Sequence, residues 1–248
     1  MIIENVYDKI QNNVLRNSIK YLVNIFIPFP LIDNLPSDIS EFLNIDKVKF
    51  LNLLKNKRYK EIFKGYRKNY KNWLKNSDYY FYDLCRWHQE RKIKFFFEYF
   101  FPFSEFYPKG LDLLDFGSGI GTNSLIYAKR NNVFLVEINE KLLNFSKWRF
   151  KKYKRKGHFY SEIPQNKKFD MIILIDVIGH LLEPNKIITK LCASLKPEGI
   201  LRVTFDNFQK STDLKLHRNF EIDFHKTFIE NGLTQLNKNH YQKRKFIK

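Results

Sequence analysis

The sequence predicts an α/β fold: a mostly parallel seven-stranded sheet closed by an antiparallel hairpin, preceded by a helical N-terminal cap over residues 1–108. Three observations predict it. From Leu111 to the C-terminus, short apolar runs alternate with amphipathic helical stretches, the pattern of a parallel sheet with crossover helices. Before Leu111, apolar residues recur at helical spacing. Three of only nine glycines, Gly117, Gly119 and Gly121, fall within five residues directly after the first apolar run.

In the N-terminal segment Ile2, Ile3, Val6, Ile10 and Val14 give a helical stripe, and Leu22, Ile25 and Ile27 extend it until Pro28 and Pro30 break the helix. Pro36-Ser37-Asp38 predicts a helix start, with Glu41 three residues beyond Asp38 as in a capping box. Ser77-Asp78 opens a helix running to about Phe101, on which Leu84, Trp87, His88, Arg91 and Phe95 share a face. Strands are predicted at 111–116, 133–136, 158–163, 171–175 and 200–205, with the closing hairpin at 233–237 and 242–247. Helices are predicted between them at 121–129, 141–153, 184–195 and 224–231. Met171–Ile175 is apolar throughout, as befits a strand buried on both faces.

The formal net charge is +18, and two clusters carry the excess: Lys47 to Lys75, and Lys147 to Lys156 (KWRFKKYKRK). Each suits either a solvated face or a surface for RNA or another anion. Cys85 and Cys192 lie too far apart for a metal knuckle or a disulfide framework, which predicts a reducing compartment. The longest apolar stretch, Tyr21 to Ile32, is interrupted by Asn24, Pro28 and Pro30. A span needs about 20 apolar residues. The expectation is a soluble, cytoplasmic protein without a membrane span.

The chemistry is carried by Asp115-Phe116-Gly117-Ser118-Gly119-Ile120-Gly121-Thr122. A strand running through a glycine turn into a helix presents backbone N–H groups with no Cβ to block a ligand. Glu137 stands 20 residues past Gly117 at the end of the second strand, where a carboxylate can accept both hydroxyls of a ribose. A dinucleotide fingerprint wants G-x-G-x-x-G/A, but Thr122 occupies its third position and the glycines run G-x-G-x-G. Asp115, two residues before the first glycine, suits a cofactor that carries an amino group.

These residues resemble the class I S-adenosylmethionine-dependent methyltransferases, with their Rossmann-like sheet, from Leu111 to about Phe205. Beside the first motif and Glu137, Phe169–Leu181 is similar to their fourth strand and following loop, and Leu195–Gly199 (LKPEG) to the turn into the fifth. Within the class, Asp176-Val177-Ile178-Gly179-His180-Leu181 and LKPEG are most similar to the ubiquinone-biosynthesis-type branch. That branch has a glycine where Glu198 stands, a harmless change, and an acid near the acceptor where Gly179 stands; because that acid is missing, a quinone-precursor acceptor does not carry over.

The resemblance implies S-adenosyl-L-methionine as cofactor. Asp115 would hold its amino group, while Gly117, Ser118, Gly119, Gly121 and Thr122 would form the turn beneath it. Glu137, with Ile138 after it, would bind the ribose. Ser161 and Glu162 would lie beside the adenine, and Asp176 would border the donor methyl. His180 is the first candidate for a proton acceptor and His88 the second, because imidazole titrates near neutrality. Tyr82, Trp87 and Asp206 are expected to meet the acceptor. The expected function is methyl transfer to an O, N or C acceptor, a small molecule. The alternatives are an RNA or protein methyltransferase using the basic cap, and a non-catalytic cofactor-binding interaction module. No metal is expected.

Overall fold

The computed structural model describes residues 29–55, 59, 70–92, 109–204 and 223–245. Two compact units divide the chain: Met1–Tyr107 with Asn144–Arg149, and Pro108–Leu143 with Phe150–Lys248. Among the described residues no helix is long and apolar enough to cross a membrane.

In the helical unit the described helices are α1 (Pro30–Asp33), α2 (Leu35–Leu43), α3 (Lys47–Lys55), α4 (Tyr70–Asn76) and α5 (Tyr79–Glu90). Aromatic rings dominate its packing: Phe42 meets Phe81, Phe145 and Trp148, and Tyr82 lies between Phe50 and Tyr59. The capping-box expectation at Asp38 is corrected. Helix α2 starts at Leu35 with a proline in its first two positions, which puts Asp38 one turn inside it. Asp38 is fully buried, 3.7 Å from the equally buried Arg149, whose Nη2 donates to the Leu31 carbonyl at 2.7 Å. Arg149 therefore leaves the solvated or anion-binding face expected of the Lys147–Lys156 cluster. The continuation of α5 toward Phe101 lies outside the described residues.

The α/β unit holds β1 (Asp112–Phe116), α6 (Thr122–Tyr127), β2 (Asn132–Val136), α7 (Glu140–Lys152), β3 (His158–Tyr160), β4 (Phe169–Leu174), α8 (Pro184–Ser194), β5 (Leu195–Val203), α9 (Phe224–Glu230), β6 (Leu233–Asn237) and β7 (His240–Lys243). The segment of α7 from Asn144 to Arg149 groups with the helical unit. The strand order is β3-β2-β1-β4-β5-β7-β6. Strands β1 to β5 pair in parallel, and β7 pairs antiparallel with β5 and β6. This is the predicted Rossmann-like, mostly parallel seven-stranded sheet with its antiparallel closing hairpin. Leu114, Val136, Ile172, Leu174, Leu201 and Val203 form a core on one sheet face with Ile188, Leu191 and Phe228.

Two local differences have physical causes. The predicted turn Leu195–Gly199 already belongs to β5, whose pairing with β4 shifts register between Phe169 and Met171. A bulge absorbs the shift: Glu198 takes φ +63°, and a Cβ on Gly199 would sit 2.9–3.2 Å from three carbonyl oxygens. Strand β3 ends at Tyr160, and residues 161–168 cross back to β4 without a helix.

Candidate active site

Three chain segments converge at the carboxyl ends of β1, β2 and β4. The glycine turn is anchored by the N–H groups of Gly117 and Ser118, which donate to the Val136 carbonyl at 2.8 and 3.1 Å. Gly117, Gly119 and Gly121 all have positive φ, at 72°, 53° and 72°. Other residues occupy that region only at a cost of about 1–2 kcal/mol. Gly117 has a second reason to lack a side chain, since a Cβ there would come within 2.5 Å of Val177. That close approach brings the loop after β4 against the glycine turn.

Glu137 is held from two sides. The Gly119 N–H donates to Oε2 and the Asn139 N–H to Oε1, both at 2.8 Å. The Ile138 N–H also bears on this carboxylate, which keeps acceptor capacity for a further donor. Burial pushes its carboxyl up from the ordinary range, and the backbone donors oppose that shift. Asp115 is 2% exposed and accepts a 2.6 Å bond from the Ser124 hydroxyl. Its pKa is pushed up to about 7, chiefly by burial and further by the nearby Glu137 charge, while Ser124 acts in the opposite direction.

Beyond β4, Asp176 has φ +55°, an uncommon conformation for a residue with a side chain. A reciprocal pair of bonds fixes it: its N–H donates to Thr204 Oγ1 at 2.9 Å, and the Thr204 hydroxyl donates to its Oδ1 at 2.7 Å. His180 ends the single 3₁₀ turn Ile178–His180 and is half-buried. Ser161 and Glu162 come directly after Tyr160, whose carbonyl accepts from the Glu137 N–H at 3.1 Å.

Gly117, Ser118, Gly119, Gly121, Glu137, Ile138, Ser161, Glu162, Asp176 and His180 thus all follow the carboxyl ends of strands in the α/β unit, with Asp115 at the end of β1 and Thr122 at the start of α6. Tyr82, Trp87 and His88 belong to the helical unit. There Tyr82 stacks on Tyr59 with ring centroids 5.7 Å apart, and the Arg91 guanidinium lies 4.2 Å from the Trp87 ring centre. His88 is buried, with Nδ1 2.6 Å from the Leu84 carbonyl, to which it can only donate. Burial pushes its pKa down to about 3, the Leu84 bond opposes this, and Arg149 and Arg91 reinforce it. Asp206 lies outside the described residues. Sequence reasoning misses Ser124, Asn139 and Thr204, which orient the acids; they are ordinary polar residues in ordinary contexts. Among the described residues no cluster of His, Cys, Asp or Glu could hold a metal.

The residues fit a cofactor of the predicted kind. The Ser118 hydroxyl is buried inside the glycine turn without a hydrogen-bond partner among the described residues. A buried acid, a second acid fixed by backbone donors and an unpartnered hydroxyl therefore line one end of the sheet. A parallel sheet with a glycine turn at its carboxyl end is the arrangement in which open α/β folds commonly bind nucleotide-type ligands.

Residues 79–240 match the sequence model of a family described as "Methyltransferase domain", and the chain belongs to that family. No curated protein matches the sequence. Among solved structures the chain is similar to the YcgJ protein of Bacillus subtilis (14% identity, 50% of this chain, 62% of that one, TM-score 0.45). It is also similar to an S-adenosylmethionine-dependent methyltransferase from Clostridium acetobutylicum (13%, 54%, 84%, 0.45). A third likeness is to the magnesium protoporphyrin IX methyltransferase of Synechocystis PCC 6803 with bound SAH (18%, 54%, 75%, 0.43). The chain spans less than two thirds of the length of YcgJ.

Proposed function

We propose that the protein is an S-adenosylmethionine-dependent methyltransferase acting on a small-molecule acceptor. The observation that carries this reading is Asp115: a buried carboxyl bonded to Ser124, with the like charge of Glu137 nearby, beside a glycine turn with positive φ. The cofactor, when bound, supplies a methyl group on a sulfonium, already activated for displacement. The chain's own residues bind, orient and exclude water. Asp115 would receive the ammonium of the methionine portion, and Glu137 the two ribose hydroxyls through its remaining lone pairs. Ser118 would find in the cofactor the partner its hydroxyl lacks. The ribose end of the ligand would bring its base to Ser161 and Glu162.

Asp176 and Thr204 would hold the loop after β4 in its left-handed turn, so that His180 is set close to the acceptor. His180 would take the proton from an oxygen or nitrogen acceptor as the methyl transfers. His88 is the weaker choice, because its Nδ1 proton is committed to Leu84 and its low pKa makes it a poor base near pH 7. Gly179, standing where the ubiquinone-biosynthesis-type branch has an acid, leaves that branch and a quinone-type acceptor without support.

The test is transfer of a labelled methyl group to extract fractions separated into small molecules, RNA and protein. Label is expected in the small-molecule fraction, and its appearance only in RNA or protein would overturn the acceptor assignment. With the acceptor in hand, His180→Gln is expected to lower turnover by roughly 10²–10⁴ while leaving cofactor affinity intact. Near-unchanged turnover from pH 6 to 9 would remove His180 from the role.

A further inference from the structure

The end of the α/β unit opposite the glycine turn is densely cationic. From Lys141 to Tyr160 the sequence contains no Asp or Glu, and residues 146–168 carry a net charge of +8. The fold gathers this charge at one edge. Helix α7 closes with Lys154 in the left-handed region at φ +52°, where the Arg155 N–H returns to the Phe150 carbonyl at 2.8 Å. Lys151, Lys152, Lys154 and Lys156 are exposed around that turn, directly before the edge strand β3. Lys167 and Lys168 come back to the same end of the sheet. Lys167 Nζ lies 2.8 Å from Asp112 at the start of β1, and Lys168 Nζ donates to the Ala193 carbonyl. The acids nearby are Asp112, engaged by Lys167 and Lys196, Asp170, engaged by Lys196, and the exposed Glu162 at the far end of the adjoining groove.

An aromatic groove adjoins this edge because residues 161–168 cross the sheet without a helix. It measures about 510 Å³ and is lined by Phe134, Tyr160, residues 161–165 and Lys167. Phe134 is buried beneath it, with His158 stacked on its ring at 4.5 Å and Lys167 Nζ 4.9 Å from its centre, so the rings that reach the surface here are exposed His158 and half-buried Tyr160, whose plane lies within 14° of that of Phe134. The groove shares Ser161 and Glu162 with the candidate cofactor site at one end, and its lining extends to Lys167 near the strand starts.

We propose that this edge, from Lys151–Lys156 along β3 to Lys167 and Lys168, docks single-stranded RNA at a surface separate from methyl transfer. Charge complementarity gives the phosphate backbone, and flat aromatic faces give base stacking worth about 1–3 kcal/mol per base. A lipid surface fits less well, because the large exposed apolar side chains among the described residues of the α/β unit, Ile138, Leu182, Ile229 and Leu236, belong to other segments. Ribose is favoured over deoxyribose because Gln165, exposed in the lining, offers an amide oxygen to a 2′-hydroxyl. The proposal stands whether or not the methyl acceptor is RNA.

The experiment is fluorescence anisotropy of the full chain with a labelled twelve-residue oligouridylate across a salt series. The triple variant Lys152→Gln, Lys154→Gln, Lys156→Gln is expected to bind about tenfold or more weakly, with a salt slope shallower by about 2. Its melting temperature and S-adenosylhomocysteine affinity should match those of the parent, which separates lost contacts from lost folding. His158→Ala should weaken binding with an unchanged salt slope. Saturating S-adenosylhomocysteine should leave the oligonucleotide bound, and a twelve-residue oligothymidylate should bind several-fold more weakly. Equal binding by the triple variant, or displacement by S-adenosylhomocysteine, would overturn the proposal. Equal affinity for oligothymidylate would overturn the assignment to RNA. Binding to phosphatidylglycerol vesicles without oligouridylate binding would assign the surface to lipid instead.

Discussion

Asp38 in the helical unit and Asp115 in the α/β unit are both withdrawn from water, at 0% and 2% exposure. Asp38 faces the guanidinium of Arg149, a cation supplied by the chain itself. Asp115 is bonded by the Ser124 hydroxyl, and the charge beside it, Glu137, has its own sign. Burying a carboxylate is costly unless a partner meets it. The chain meets that cost at Asp38 with its own arginine. At Asp115 the carboxyl is held closer to its neutral form, which is the arrangement expected where a ligand brings the cation. The same chemical group is thus ion-paired within the chain in one unit and buried without a cationic partner of the chain's own in the other, which is what the proposed role of Asp115 requires.

Breaking the first pair gives the largest expected effect. Arg149→Met leaves Asp38 buried and uncompensated, and should destabilise the protein by about 3–5 kcal/mol in urea unfolding. Adding Asp38→Asn to that variant should recover part of the loss, because the two residues act as a unit. Additive losses would show that they do not.

The second acid predicts a pH dependence of opposite origin. The folded pKa of Asp115 is raised above its ordinary value of 3.8, to about 7, so the folded state binds more protons than the unfolded state between those values. Ligand-free stability should therefore fall as pH rises from about 4 to about 7. Asp115→Asn should flatten that decline in thermal melts across the range, and should weaken cofactor binding at the same time. A decline of the same slope in Asp115→Asn would assign it to other groups, Glu137 first.

A smaller effect is expected away from both acids. Glu198 holds φ +63° at the β5 bulge and is exposed. Glu198→Gly should raise stability by up to about 1 kcal/mol, since glycine adopts that conformation without a Cβ penalty. Its exposed ion pair with Lys245 offsets little of this.

The two units are unequally legible in the sequence. The α/β unit reads well because its signals are local: continuous apolar strands, a glycine cluster at a strand end, and an acid at the end of the next strand. The strand count, the closing hairpin and the loops that carry the candidate site all derive from those signals. Asp38 reads wrongly as a cap because a capping box is also a local signal, whereas its partner Arg149 lies far along the chain in a run of lysines. Nothing in KWRFKKYKRK distinguishes the one buried cation from its solvated neighbours. Ser124 and Thr204 escape sequence reasoning for the same reason, since a hydroxyl gains its role only once the fold brings an acid within bonding distance. Glu198 escapes because a left-handed bulge is normally announced by glycine.

The most direct test of the contrast between the two acids is the proton balance of cofactor binding. S-adenosylmethionine would be titrated into the protein by calorimetry at pH 6.5, in two buffers of different ionisation enthalpy. The α-amino group of the ligand is already mostly protonated there, with an ordinary pKa of about 7.7–8.0. A pKa near 7 in the free protein leaves Asp115 about three-quarters protonated at pH 6.5, and an arriving ammonium holds it ionised. The predicted result is release of about three-quarters of a proton per site, lost in Asp115→Asn. Tight binding with no proton released, or the same release from Asp115→Asn, would contradict the role given to Asp115.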